Sequence, residues 1–499
     1  MQRVKKEGEV DLVIRRNQIT KLQRTTVRRK VTDRLATTEQ PPCDAGNDTD
    51  GVPVPDNTVT ANKTRTDVTS SAIAVVGGGI SGASTAFFLR QQFGEDAVID
   101  VYEKGEVGGR LATINLDSKL YEAGGSIIHE KNAYMVNFTN LLGLERRMPS
   151  DEHLGLYNGE EMIFEGSRWI YKHQANGLAF TTPERLLESM DGDLMAYLYY
   201  SLEEILSHEG FSQQFINEFV MAALKCNYGQ TPEIQAFVGI VSLFGAERKL
   251  WSVKGGNKRV PIGLLEKSNV NLIKTKVNTV TLEQVDEKTK YEVKSNEVTN
   301  IYDMVIIATP FYGNESDISF INFPEPIIGS SHLYHRTVAT FVRGLPNFSK
   351  FGYKTLNEFP EIVLVTKDKF FFNSVVKLHR VDVGSERHEN KQELPTWKVF
   401  SQQPLTDEEM LALFISYEDV EVVNWSAAYP HYSSSEDNLP SFRLASQLYY
   451  VNTIELAASC MEMMAIAAHN VALLAHHDWT GKVELVNPFV YGEFGRQEL

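Results

Sequence analysis

Apolar residues in this chain come in two arrangements: short unbroken runs that stop at glycine, and longer stretches with helical spacing. Ala72-Ile73-Ala74-Val75-Val76 is a run of the first kind, as expected of a parallel strand covered on both faces. Gly77-Gly78-Gly79-Ile80-Ser81-Gly82 follows, then a helical stretch to Arg90 with Ile80, Ala83 and Phe87 on one face. Val98-Ile99-Asp100-Val101-Tyr102, Asn271-Leu272-Ile273, Asp303 to Ala308 and Leu448 to Asn452 are further short strands. Strands alternating with helical stretches predict βαβ units and a parallel sheet. After the last strand the spacing predicts a helix from Leu456 to about His477.

The intervening segments read differently. Residues 151–250 are largely helical in pattern: Thr182-Pro183-Glu184 suits an N-cap followed by the first helical turn, and Ser212 suits the cap of a helix from Gln213 to Leu224. Residues 311–440 mix patterns, with strands predicted at Glu361–Val365 and Ser374–Leu378. The expected fold class is α/β with an α+β insertion: a discontinuous Rossmann-like cofactor domain plus a mixed substrate-binding domain. The cofactor domain takes residues 71–150, 251–310 and 441–482; the substrate domain takes 151–250 and 311–440; tails cover 1–70 and 483–499.

Composition narrows the class. The chain has 499 residues, 42% hydrophobic and 23% charged, with net charge −16, which fits a globular protein and disfavours a nucleic-acid partner. Residues 1–40 carry eleven Lys/Arg against five Asp/Glu, so the remainder holds −22. Residues 39–71 contain no large apolar side chain but valine, too little to offset ordering entropy; a disordered tail is expected there. Glu7, Glu9 and Asp11 are wrong for a transit peptide, and no apolar core makes a signal peptide. Three cysteines, Cys43, Cys226 and Cys460, are too few for a disulfide framework. No uninterrupted apolar run reaches the roughly 18 residues of a spanning helix, and no metal-ligand cluster stands out.

The chemistry-bearing motif is G-x-G-x-x-G at Gly77, Gly79 and Gly82. Gly77 permits the tight turn, Gly79 lets a pyrophosphate approach the backbone, and Gly82 lets the helix pack close to the strand. Glu103 ends the second strand, twenty-one residues beyond Gly82, where a carboxylate accepts hydrogen bonds from ribose hydroxyls. The motif alone leaves NAD and FAD open. Gly108-Gly109-Arg110 and the Tyr121 to His129 segment with Gly124 and Gly125 resemble the FAD-dependent amine oxidase and phytoene desaturase superfamily. That resemblance implies FAD, with Gly108, Gly109 and Arg110 near its phosphates, Gly124 and Gly125 near the flavin ring, Val277 at the adenine, and Glu455 at the last motif.

Further segments resemble the prenylcysteine oxidase family: Asn227-Tyr228-Gly229-Gln230, Leu250 to Asn257, Ala427 to Tyr432, and the stretch from Ala457 to Asn470. The likeness runs from about Ala72 to Gly481. It departs at Thr453, where glycine is expected, and after Gly481. It implies oxidative cleavage of the thioether of S-farnesyl- or S-geranylgeranyl-cysteine by O2 and water, giving prenyl aldehyde, cysteine and hydrogen peroxide. It also implies a lysosomal glycoprotein, and leaves lipid association open. Six Asn-x-Ser/Thr sequons, at Asn47, Asn62, Asn137, Asn314, Asn347 and Asn424, agree with a secretory route. His129 is the candidate base for water addition, ahead of His431. Two alternatives stay open, an amine oxidase and a non-catalytic carrier of lipid or prenyl groups. Against the first, Phe311 to Phe320 holds no lysine, and Cys460 follows the last motif rather than preceding it.

Overall fold

A computed structural model describes residues 71–488 apart from 149–173, 175, 191, 246–249, 286–287, 313–317, 330–332, 383–392 and 435–438. The expectation of a disordered 1–70 lies outside the described residues. The described residues belong to one compact unit.

The central sheet gathers strands from far apart in sequence. They are β1 (Ala72–Val76), β2 (Val98–Tyr102), β3 (Asn271–Ile273), β4 (Met304–Ile307), β5 (Arg443–Ala445) and β6 (Leu448–Tyr450), in the spatial order β5-β6-β4-β1-β2-β3. All neighbours are parallel except β5 and β6. Helix α1 (Ile80–Phe93) follows β1. It is buried from Ile80 through Leu89 because it packs against α2 (Arg259–Lys267) and α3 (Met461–Thr480) as well as the sheet. An apolar face all round is what such a helix needs.

On the other face of the sheet, Val76, Val305 and Ile307 share a core with Val277, Val280, Tyr291 and Val293. The latter belong to a four-stranded sheet of Thr299–Tyr302, Lys288–Ser295, Val277–Val285 and Ser319–Ile321. Ser319–Ile321 pairs in parallel with Val277–Val285, so the start of the expected substrate segment 311–440 joins the cofactor half instead. A five-stranded antiparallel sheet follows the order Ile362–Leu364, Ser374–Leu378, Thr396–Ser401, Tyr334–Pro346, Phe414–Pro430.

The helical segment forms as its caps dictate. Thr182 Oγ1 accepts from Arg185 N ahead of helix Pro183–Met190. Ser212 Oγ accepts from Phe215 N at 3.2 Å, but the helix it starts loosens into a π turn at Ile216–Val220 before continuing to Tyr228. It stops at Gly229, whose φ of +63° suits the left-handed cap.

Two further boundaries differ from the sequence expectation. After β6 the chain makes a 3-10 turn, Val451–Leu456, and α3 begins only at Met461. The Tyr432 hydroxyl explains the break. It donates to Glu455 O and accepts from Ser459 N, both at 2.8 Å, standing where an α-helix would bond those two groups directly. The expected tail 483–499 is also corrected over its described part. Val483–Leu485 is a 3-10 turn, and Ala179 N donates to Leu485 O while Asn487 N donates to Ala179 O. Thr181 N further donates to Asn487 Oδ1 at 3.0 Å.

Candidate active site

The glycine loop sits where β1 delivers the chain to α1. Gly77 has φ +118°, and a Cβ there would lie 2.7 Å from Ala308 O. A Cβ at Gly82 would lie 1.9 Å from Gly77 O, so Gly82 serves the close approach of helix to strand and does not line the cleft. Gly79 is different: a Cβ there would come no nearer than 3.8 Å to any protein atom, and Gly79 does line the cleft. Its smallness is needed for something the protein itself does not supply.

Glu103 extends the cradle. Its Oε2 accepts from Gly78 N at 2.7 Å and its Oε1 from Gly105 N at 2.8 Å, fixing the carboxylate at the end of β2. Gly108 N donates to Gly78 O at 3.0 Å, joining the second glycine pair to the first; Gly108 and Gly109 have φ of +129° and +54°. Val277 lines the same cleft.

Arg110 and Glu455 are placed differently from the sequence expectation. Arg110 lines the cleft and donates to Ala428 O at 2.7 Å, but its guanidinium is paired with Glu455. Burial opposes the arginine's charge and the Glu455 carboxylate outweighs it, holding the guanidinium above its usual range. Glu455 is fully buried, with Asn452 Nδ2 donating to it at 2.9 Å, and does not line the cleft. It anchors Arg110 rather than touching a cofactor. Gly124 and Gly125 lie against Arg110: Gly125 N donates to Arg110 O at 3.0 Å, and a Cβ at Gly124 would lie 2.0 Å from that oxygen.

His129 lines the cleft and is nearly buried. Its Nδ1 accepts from Lys131 N at 3.1 Å, so the neutral ring carries its proton on Nε2. That makes Nε2 a donor, not the base suggested by the sequence. His431 is exposed and lies outside the cleft lining.

Glu122, Arg147 and Lys398 are among the charged cleft residues that sequence reasoning missed. Glu122 Oε1 accepts from Asn257 N at 2.7 Å, and Asn257 Nδ2 donates to Gly125 O at 3.0 Å, so one buried asparagine ties Glu122 to the glycine pair. Burial pushes the Glu122 carboxyl up to about 7, against the pull of Asn257 N, Lys398, Arg147 and Lys258. Lys398 lies in the strand Thr396–Ser401, 4.7 Å above the Phe400 ring, and burial lowers its pKa. One signal was available: Lys398 is the lone charge in the otherwise apolar Trp397 to Phe400 stretch.

The cleft measures about 1730 Å³, beyond the ~300–1,000 Å³ of an ordinary small-molecule pocket. Beyond the glycine cradle much of its wall is apolar, including Phe237, Val241, Leu250, Ile362, Leu364 and Phe400, with Glu361, Lys377 and Lys398 among the charged side chains interspersed.

With this geometry in place, comparison with known proteins is decisive. The family model for prenylcysteine lyase matches residues 161–488. The chain belongs to that family. A model for an NAD(P)-binding Rossmann-like domain matches 75–140. Prenylcysteine oxidase 1 of Homo sapiens is 38% identical over 464 residues, covering 83% of this chain and 90% of that protein. Prenylcysteine oxidase 1-like of Homo sapiens is 38% identical over 454 residues, covering 83% and 92%. The family match reaches 488, past Gly481, in accord with the docked C-terminal segment. Among solved structures, putrescine oxidase bound to putrescine superposes with TM-score 0.51 at 14% identity, covering 83% of this chain and 99% of that one. Cyclohexylamine oxidase from Brevibacterium oxydans gives 0.52 at 14%, covering 83% and 100%. At such identity these two establish the fold alone.

The cofactor of this fold and family is FAD, and the residues fit it. Gly79 leaves room that no protein atom fills, Glu103 is held at the strand end for a ribose, and Gly108, Gly109, Gly124, Gly125 and Val277 line the same cleft.

Proposed function

We propose that this protein is an FAD-dependent oxidase of S-prenyl-L-cysteine, farnesyl or geranylgeranyl. Thioether cleavage consumes O2 and water and yields prenyl aldehyde, cysteine and hydrogen peroxide. The observation that carries the reading is a single cleft joining the glycine cradle to a long apolar wall. FAD, when bound, supplies the two-electron acceptor that O2 regenerates.

The chain's own residues bind and orient. The amides at the N-terminus of α1 face an anion, and Glu103 takes ribose hydroxyls. The apolar wall excludes water and holds the prenyl chain, each buried methylene contributing about 0.8 kcal/mol. The carbon to be oxidised bears sulfur and is allylic, so no base need remove a proton first. This agrees with a histidine whose Nδ1 is already engaged by Lys131 N. O2 as acceptor, lysosomal residence and glycosylation belong to the same reading; the sequons support the last two, and Asn137 and Asn424 are exposed. Association with lipid is supported by exposed Ile415, Val420 and Val422 on the edge strand Phe414–Pro430. No helix among the described residues is long and apolar enough to cross a membrane.

The test is a substrate panel with peroxide and aldehyde read together. Farnesylcysteine and geranylgeranylcysteine should each give about one peroxide per aldehyde, and spermine and phenethylamine none. Amine oxidation without prenylcysteine oxidation would overturn the substrate; silence towards all four would favour a carrier.

A further inference from the structure

Among the charged residues lining the cleft, Glu122, Arg147 and Lys398 stand out because each keeps charge-bearing capacity that no group of opposite charge among the described residues takes up. Glu122 is 4% exposed and Lys398 5%, values at which charged groups are ordinarily paired. Glu122 spends one oxygen on Asn257 N; its Oε2 has no hydrogen-bond partner among the described residues. Arg147 Nε is likewise buried without a partner among them. Lys398 has its aromatic contact with Phe400 but no ion pair with any carboxylate among the described residues. These groups still sense one another: Lys398 and Arg147 each favour ionised Glu122, and Glu122 favours charge on both. All three line the same cleft.

A gap flanked by one carboxylate and two cations matches a ligand with an ammonium and a carboxylate on a single carbon. Glu122 lies two residues before Gly124, and Asn257 links it to Gly125, so the gap is beside the glycine pair and not at the far end of the apolar wall. In an S-alkyl cysteine the α-carbon is separated from the sulfur-bearing alkyl carbon by only the β-carbon and sulfur. A ligand clamped at its amino-acid end is thereby held with its reacting carbon close by.

We propose that Glu122, Lys398 and Arg147 form the recognition site for the amino-acid end of the substrate, Glu122 taking the α-ammonium and Lys398 with Arg147 the α-carboxylate. This rests on the thioether-oxidase reading above and adds the groups that select a free S-alkylated amino acid over a blocked one. Desolvated Glu122 and Lys398 would each regain a charged partner when the zwitterion enters.

The experiment uses FAD-loaded wild type, Lys398→Met and Glu122→Gln, with flavin content and melting temperature checked for each. The ligands are S-farnesylcysteine, its methyl ester and its N-acetyl derivative, read by anaerobic flavin reduction and by dissociation constant. Wild type should bind farnesylcysteine about 10- to 100-fold tighter than either blocked form. Lys398→Met should lose that factor on farnesylcysteine and little on the methyl ester, with the rate of reduction at saturation nearly unchanged. Glu122→Gln should lose it on farnesylcysteine and little on the N-acetyl form. Equal losses on free and blocked ligands, or none, overturn the site while leaving the oxidase reading intact. Wild type that is reduced by none of the three overturns the oxidase reading itself. Should Glu122→Gln fail to fold, the Lys398 arm decides alone.

Discussion

At the scale of single residues, space and charge make separable predictions. Gly79 is the loop glycine whose missing Cβ leaves protein atoms untouched, so Gly79→Val should fold and yet lose FAD, seen as loss of the visible flavin absorbance in protein of unchanged far-UV signal. Full flavin occupancy would mean that the loop holds no pyrophosphate. Glu122 makes a pH prediction. Its folded pKa is raised by burial to about 7 from 4.5, so the folded state keeps its proton more tightly than the unfolded one. The stabilisation is complete below about 4.5 and is lost as pH rises through about 7, a change of roughly 3 kcal/mol. Gln at this position retains an acceptor for Asn257 N but cannot ionise. Melting temperatures of Glu122→Gln relative to wild type should therefore climb from pH 4.5 to pH 8, and a flat difference would refute the assignment. The glycines and Glu103 were legible in the sequence because strand, loop and acid occur at fixed spacing. Glu122, Arg147 and Lys398 were not, because they come from three separate strands, Lys119–Glu122, Arg146–Arg147 and Thr396–Ser401, that only the fold brings to one cleft.

Elements were legible where local rules set them. Ser212 and Thr182 cap as expected, and Gly229 ends its helix. Local rules failed where a distant side chain intervened. The apolar spacing from Leu456 onward describes a helix, but Tyr432 reaches in from twenty-three residues before Glu455 and takes the bond between Glu455 O and Ser459 N. The resulting turn places Glu455 inward against Arg110. Tyr432→Phe removes a donor and an acceptor at once, leaving two backbone groups unmatched. It should destabilise by about 2–4 kcal/mol and weaken flavin retention through the Arg110 anchor. Chemical denaturation and flavin release measured on the same variant would check both. A stable variant with normal flavin retention would show that the ladder simply closes when the hydroxyl is gone.

For the whole molecule, chain order and spatial order are decoupled. The central sheet draws on strands between Ala72 and Tyr450, and its innermost helix α1 is sealed by α3, the last long helix. Spacing predicted that the cofactor half was split, since its five strand-like runs fall in three groups scattered between Ala72 and Asn452. It did not predict that 483–488 closes the fold, because those residues carry no apolar periodicity and bind through backbone and one asparagine. Their attachment is to Ala179 and Thr181, at the start of the helical segment, while α3 immediately before them packs on α1. The C-terminal residues thus clasp the cofactor half to the substrate half. A chain ending at 482 keeps every cleft residue, so its flavin should still bind, but the four backbone and side-chain bonds made by Leu485 and Asn487 to Ala179 and Thr181 are lost. At about 0.5–1.5 kcal/mol each, the loss should be several kcal/mol. Calorimetry should show a lower melting temperature, and proteolysis should open the chain first near residues 176–190. A chain ending at 488 should melt like the full-length protein. If the two truncations melt alike, the clasp contributes nothing and the expected tail begins at 483 after all.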